Sequence, residues 1–151
     1  MIPSLAQDLL NLLRAFSRFS PSLTVTCAMT FTSLLVQIRT ANIIKDGVVI
    51  GTIAEEMNDA GETDWVITPN YDNISPDKPL LISGIDLSLG LKEYVRSYVP
   101  VFVEERTPSD HREDLWELLD AVGLDWNDRF EYMCRTHGVC GNNNLTVERC
   151  E

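Results

Sequence analysis

The sequence predicts an α+β fold: a small antiparallel β-sheet, made of an N-terminal hairpin plus short strands, packed with a C-terminal group of three helices. Short β-branched runs separated by turn signals occupy the chain from about residue 34 to residue 83. Helical spacing of apolar residues dominates from about residue 90. Strands and helices are therefore segregated along the chain, which favours α+β over alternating α/β architecture.

The hairpin carries the clearest local signal. Asp46 and Gly47 stand between two β-branched runs. A two-residue type I′ turn requires positive φ at both central positions, and Asp-Gly is among the dipeptides that supply it best. The sequence therefore predicts an antiparallel hairpin centred on this dipeptide.

Further strands and a loop are predicted after the hairpin. Residues 55–64 are polar and acidic, which is typical of a loop. The apolar run at 65–68 stops at Pro69 and predicts a short strand. After a turn-rich stretch, residues 80–83 predict another short strand or extended edge.

Two helices are predicted between residues 94 and 123. Apolar spacing indicates the first over 94–105, and its regular part is expected to start near Val99 with Pro100 in the first turn. Thr107 is a good N-cap for the second, because Pro108 follows at the first helical position. Gly123 is expected to end this second helix.

The C-terminal part predicts a third helix and a short strand. The helix is expected to begin after Asp125 and to be closed by Gly138. Residues 145–147 are apolar and β-branched, and they predict the strand that follows a tight loop.

The chain is divided into an extension at residues 1–28 and a domain at residues 29–151. Apolar residues recur at helical spacing within the extension, which predicts an amphipathic helix. An alternative is that translation starts at Met29 and that the first 28 residues are not made. Arg14 and Arg18 lie inside the apolar stretch, and no basic region precedes it, so it lacks the order of a signal peptide. No apolar run reaches the length of a transmembrane helix. We expect a cytoplasmic protein that does not contact membranes.

The formal net charge of −11 bears on the choice of partner. A field of this sign repels nucleic-acid phosphates, so direct nucleic-acid binding is disfavoured. Acidic residues are concentrated between 104 and 131, where they form either a solvated helix face or a contact surface for a basic partner. An acidic inhibitor that mimics DNA is a further alternative.

Four residues near the C-terminus could form a metal site. Cys134, His137, Cys140 and Cys150 have the spacing C-x2-H-x2-C-x9-C. Three thiolates and one imidazole are a suitable ligand set for tetrahedral zinc. The simpler interpretation is a set of buried thiols, since free cysteine often acts as a small apolar residue. We expect no cofactor and keep a small Cys/His metal-binding protein as an alternative function.

Catalytic signals are absent from the sequence, whereas candidate contact residues are present. The chain has no glycine-rich phosphate loop and no G-x-S-x-G nucleophile elbow. We therefore expect a protein that is not an enzyme. Large aromatic residues are common anchors of protein interfaces, and our partner-binding candidates are Tyr94, Tyr98, Phe102 and Trp126.

Several segments, taken in order, resemble a known family. They are the hairpin return at 47–53, the aromatic strand and turn at 65–71, the run at 78–83, the helix end and cap at 101–110, and the closing segments at 124–130, 138–141 and 145–147. In this order and at this spacing they resemble the N-terminal subdomain of HipA-family serine/threonine kinase toxins. They are also similar to HipS-like proteins, in which that subdomain is a separate chain. The resemblance covers about residues 35–148.

The resemblance implies a role as well as a fold. In HipA kinases this subdomain packs on the kinase core and is not catalytic. In split systems the HipS-like protein binds and neutralises a separate kinase, alongside a helix-turn-helix DNA-binding subunit. For this chain the resemblance implies a non-catalytic antitoxin or accessory subunit that binds a HipA-like kinase core.

Overall fold

The computed structural model describes residues 38–151 except 79 and 142. Within this part of the chain, five strands form one antiparallel sheet in the order β4-β3-β2-β1-β5, and three short helices accompany it. The strands are β1 Arg39–Lys45, β2 Val48–Met57, β3 Thr63–Pro69, β4 Tyr94–Arg96 and β5 Leu145–Arg149, and the helices are α1 Val101–Glu104, α2 Leu115–Ala121 and α3 Arg129–Arg135. The predicted α+β class is confirmed. The predicted amphipathic helix at residues 1–28 lies outside the described residues.

The predicted hairpin is confirmed. Strands β1 and β2 pair antiparallel and are joined by Asp46 and Gly47. Their φ angles are 51° and 79°, so both central positions have the positive φ of a type I′ turn. The register shifts by one residue between Ile43 and Ile44, whose partners are Gly51 and Val49, so Ile50 is the extra residue of a β-bulge in β2.

The predicted loop at 55–64 is too long. Strand β2 continues to Met57 and β3 begins at Thr63, and the two strands pair over this whole length. The remaining turn is tightened by Asn58, whose side-chain oxygen accepts hydrogen bonds from two backbone amides within the turn. Polar residues here lie on paired strands because backbone hydrogen bonds to a neighbouring strand outweigh weak strand propensity.

The prediction of a helix from residue 94 is wrong in its first part. Residues Tyr94–Arg96 form β4, which pairs with β3. The helix α1 spans only Val101–Glu104, with Pro100 as its N-cap residue. Proline disfavours a helical conformation in the residue before it, so no helix continues from 94 through Pro100. Residues 80–83 contribute only an isolated bridge between Ile82 and Ile85.

The starts of α2 and α3 also differ from prediction. Thr107 is not an N-cap, because its hydroxyl donates to the Val103 carbonyl at 2.8 Å, and α2 begins only at Leu115. The N-cap of α3 is Asp128 and not Asp125. Gly123, with φ of 74°, follows the end of α2 as predicted.

The C-terminal strand completes the sheet and its core. The predicted strand at 145–147 is confirmed and extended: β5 pairs antiparallel with β1. Core side chains come from all five strands and from α1 and α3, and they include Ala41, Ile43, Ile53, Trp65, Ile67, Tyr94, Phe102, Phe130, Met133, Leu145 and Val147. Across residues 38–151, as far as they are described, there is no helix with the length and apolar character needed to cross a membrane.

Candidate functional site

Two of the four predicted contact residues are core residues. Tyr94 is 2% exposed and Phe102 is fully buried. The Tyr94 hydroxyl donates to the Asp86 carbonyl at 2.7 Å, so even its polar end is used inside the domain. The prediction that these two side chains contact a partner is therefore wrong. Tyr94 lies on β4 and Phe102 on α1, and both side chains belong to the hydrophobic core.

The other two predicted residues are exposed and lie together. Tyr98 is 63% exposed and Trp126 is 61% exposed. Both line one open groove with a volume of about 260 Å³. The groove is completed by Glu55, Thr63, Trp65, Ser97, Val99, Asn127, Asp128 and Arg129. We call this feature the Tyr98–Trp126 groove.

A row of residues across four strands supports the groove. Arg39, Glu55, Trp65 and Arg96 are direct cross-strand partners from β1 to β4. Trp65 is buried and packs against Phe130 of α3, with ring centroids 6.4 Å apart. The floor of the groove is thus continuous with the hydrophobic core.

Arg39 connects the sheet to the start of α3. Its Nε donates to Glu55 at 2.7 Å, and its Nη1 donates to Asp128 at 2.6 Å. The guanidinium also lies over the Phe130 ring, 4.9 Å from the centroid. One cation therefore holds two carboxylates that line the groove.

The electrostatic environment keeps Asp128 charged. Partial burial is the largest single effect and raises the pKa of this carboxyl, but it is outweighed. The hydrogen bond and charge of Arg39, together with backbone amides at the start of α3, leave the pKa of Asp128 below its ordinary value. Asp128 also accepts a hydrogen bond from the Glu131 amide at 3.1 Å as the N-cap of α3.

The segment beside Trp126 is tied to the loop before α2. The side-chain amide of Asn127 donates to the Asp110 carboxylate at 2.5 Å. Arg129 donates to the same carboxylate at 3.0 Å and to the Thr107 hydroxyl at 2.9 Å. Among the described residues, the buried Oδ1 of Asn127 has no hydrogen-bond partner. The backbone that follows Trp126 is therefore tied to the loop before α2.

Other surface features of the described residues do not combine a cavity with exposed tryptophan. Two further cavities, of about 190 and 310 Å³, are not lined by tryptophan. Trp116 is 67% exposed but lines none of these three cavities. The groove is consequently the best candidate for a functional site in this part of the chain.

The proposed zinc ligands do not form a site. No group of three or more His, Cys, Asp or Glu side chains in the described part of the chain is arranged to hold a metal ion. Cys134, Cys140 and Cys150 are free and partly buried. Burial is the main cause that raises the pKa of the Cys134 thiol. His137 has a φ of 55° just after α3, where its carbonyl accepts a hydrogen bond from Val147 of β5. Its backbone therefore has a structural role.

Sequence reasoning missed the residues that organise the groove. Arg39, Glu55 and Asp128 were not singled out, because they are far apart in sequence and no motif contains them. One available signal was the position of Asp128 three residues before Glu131, the spacing of a capping box.

Comparison with known proteins gives no relative. No protein-family model matches the chain, and no curated protein or solved structure is significantly similar to it. The resemblance to HipA-family subdomains stays a prediction.

Proposed function

We propose that this chain is a non-catalytic binding subunit of a HipA-type toxin–antitoxin system. It binds a separate HipA-like serine/threonine kinase core and modulates it, most directly by neutralising it, in the cytoplasm. A helix-turn-helix DNA-binding subunit is a further member of such a system. The chain itself contacts neither nucleic acid nor membrane.

The observation that carries the proposal is the Tyr98–Trp126 groove. Two large, exposed aromatic side chains line the same groove, which the buried Trp65 also lines. Aromatic anchors grouped in a pocket are typical of residues that dominate the binding energy of protein interfaces. An exposed pair of this kind is more consistent with a docking surface than with a surface selected only for solubility.

The groove is also held rigid before any partner binds. Arg39 links two strands to the start of α3, and Asp110 holds both neighbours of Asp128 in sequence. A surface that is already ordered loses less conformational entropy on association. A groove whose surrounding residues are already connected in this way favours a stable complex, as an antitoxin requires.

The family resemblance supplies the identity of the partner. The α+β order of elements agrees with a HipA-type N-terminal subdomain, which packs on a kinase core. The small size of the groove adds support, since about 260 Å³ is below the roughly 300–1,000 Å³ of typical small-molecule pockets. The groove fits a protruding side chain better than a substrate.

The first test is recovery of the natural partner. The tagged full chain is purified from its native host and the co-purifying proteins are identified by mass spectrometry. We expect a HipA-like kinase core at near-equal stoichiometry. Trp126→Ala and Tyr98→Ala should each reduce the recovered kinase at least about tenfold, whereas Trp116→Ala should not, because anchors dominate binding and isolated exposed residues contribute little.

Three other results would contradict the proposal or part of it. A monomer with bound zinc would favour the metal-binding alternative. An unrelated basic protein whose binding weakens steeply with salt would favour the DNA-mimic inhibitor. A kinase core recovered equally by all three variants would keep the partner and remove the groove as its binding site.

A further inference from the structure

The chemistry of the groove points to one kind of side chain from the partner. We propose that the Tyr98–Trp126 groove receives an arginine side chain from a basic segment of the bound protein. This inference rests on the proposed function and adds to it the chemical class of the contact. The charges, acceptors and aromatic faces of the groove each support it.

The first observation is the local charge balance. Glu55 and Asp128 share the single cation Arg39, and Arg129 is neutralised by Asp110 outside the groove. The three carboxylates of Glu55, Asp128 and Asp110 thus face the two guanidinium groups of Arg39 and Arg129, which leaves one excess negative charge. Arg96 lies next to Trp65 in the sheet, but it does not line the groove, and its Nη1 donates to the Val95 carbonyl. The chain as a whole adds a net charge of −11, which attracts a cationic segment.

The second observation is the exposed aromatic surface. Trp126 and Tyr98 present large areas to solvent on the same groove. Cations bind over aromatic faces, most favourably over tryptophan, and arginine does so more often than lysine. The described part of the chain contains this contact twice, with Arg39 over Phe130 and Arg106 over Phe102 at 4.9 and 3.8 Å from the ring centroids.

The third observation is the excess of hydrogen-bond acceptors. Two carboxylates, Glu55 and Asp128, line the groove, and a carboxylate accepts several hydrogen bonds at once. An occupant rich in N–H groups is therefore preferred, because hydrogen bonds to a charged acceptor are stronger than those between neutral groups. Arginine provides five N–H donors in a planar group, whereas a phenylalanine or leucine provides none. The guanidinium therefore satisfies the aromatic faces and the acceptors together.

The test uses short peptides as probes of the full chain. Acetyl-Gly-Xaa-Gly-amide peptides are compared in which Xaa is arginine, lysine, phenylalanine or citrulline, the uncharged analogue of arginine. The chain is labelled with ¹⁵N, and the indole N–H signals are assigned with the variants Trp116→Phe and Trp126→Phe. Titrations at millimolar peptide then report binding at each tryptophan separately.

We expect the arginine peptide to shift the Trp126 indole signal and to leave the Trp116 signal in place. Citrulline and phenylalanine should bind at least about tenfold more weakly, because they lack the charge or the donors. Lysine should be intermediate, since it carries the charge without the planar donors. Equal binding of arginine and citrulline, preference for phenylalanine, or no shift with any peptide would overturn the inference.

The inference and the proposed function can fail separately. If a HipA-like kinase core is recovered and the groove ignores the arginine peptide, the subunit role stands and the arginine contact is wrong. If the groove binds the arginine peptide selectively and no kinase core is recovered, the contact chemistry stands and the partner assignment is wrong.

Discussion

Two tryptophans of this chain are exposed to nearly the same degree, but the chain around them is built differently. Trp126 is 61% exposed and Trp116 is 67% exposed. The helix after Trp126 has Asp128 as its N-cap, and the Asp128 carboxylate accepts a hydrogen bond from the Glu131 amide and pairs with Arg39 of the sheet. The helix that contains Trp116 has Asp114 as its N-cap, and this residue makes no side-chain cap hydrogen bond.

The partners of the two aspartates explain the difference. Asp114 pairs with Arg112, only two residues away, on the exposed surface. Asp128 pairs with Arg39, 89 residues away, and so ties α3 to β1. The start of α2 has only a local ion pair, and the helix is held by the burial of Leu115 and Leu119 and by Arg135, which donates to the Val122 and Gly123 carbonyls after its end. Exposure alone therefore does not distinguish the two tryptophans; the long-range contacts around Trp126 do.

Among these comparisons, the two aspartates should differ most in their contribution to the free energy of unfolding. Replacing Asp128 by alanine removes an N-cap and a largely buried ion-pair partner, and we expect a loss of about 2 kcal/mol in the free energy of unfolding. Asp114→Ala should leave the unfolding midpoint almost unchanged, because exposed ion pairs contribute little. Urea unfolding followed by far-UV circular dichroism measures both. Equal losses for the two variants would show that the Arg39–Asp128 link does not stabilise the fold.

A smaller effect is expected on the pH dependence of stability. The pKa of Asp128 is lowered in the folded chain, so its contribution is fully present above the unfolded pKa of about 3.9 and is lost as the pH falls through the folded pKa. Between about pH 5 and pH 2 the wild-type chain should lose stability more steeply than Asp128→Asn. Asp114→Asn is the matched control and should retain nearly the wild-type slope, since its exposed ion pair is screened. Equal slopes of stability against pH for Asp128→Asn and the wild-type chain would show that Asp128 does not contribute to this dependence.

In the hairpin, the sequence predicted the turn but not the register of the two strands. Its turn residues dictate positive φ, so Asp46 and Gly47 predicted the type I′ turn correctly. An unbroken two-residue hairpin pairs Lys45 with Val48 and would place Arg39 opposite Ala54. The bulge at Ile50 of β2 shifts the register by one, and Arg39 lies opposite Glu55 instead. The Arg39–Glu55 ion pair depends on this shift in register, and no local sequence motif predicts the shift.

The helical half was harder to predict for a related reason. The spacing of Tyr94, Tyr98 and Phe102 fits a helix, yet the backbone at 94–96 pairs with β3. An unpaired edge of a sheet offers hydrogen bonds that local periodicity does not reveal. Two contact candidates consequently proved to be core residues. Tyr98 and Trp126 come together through the paths of β4 and the segment before α3, a tertiary effect that sequence periodicity does not show.

The smallest change in stability is expected for substitutions of the two exposed tryptophans. Trp116→Ala and Trp126→Ala should each change the free energy of unfolding by less than about 0.5 kcal/mol, because exposed side chains contribute little to the core. Urea unfolding provides the measurement, with Trp65→Ala as the destabilised reference, since Trp65 is buried against Phe130. If Trp126→Ala kept its stability and lost its partner, the loss would belong to binding alone. A large loss of stability for Trp126→Ala, with Trp116→Ala unaffected, would instead make Trp126 a packing residue of the domain and weaken the case for the groove.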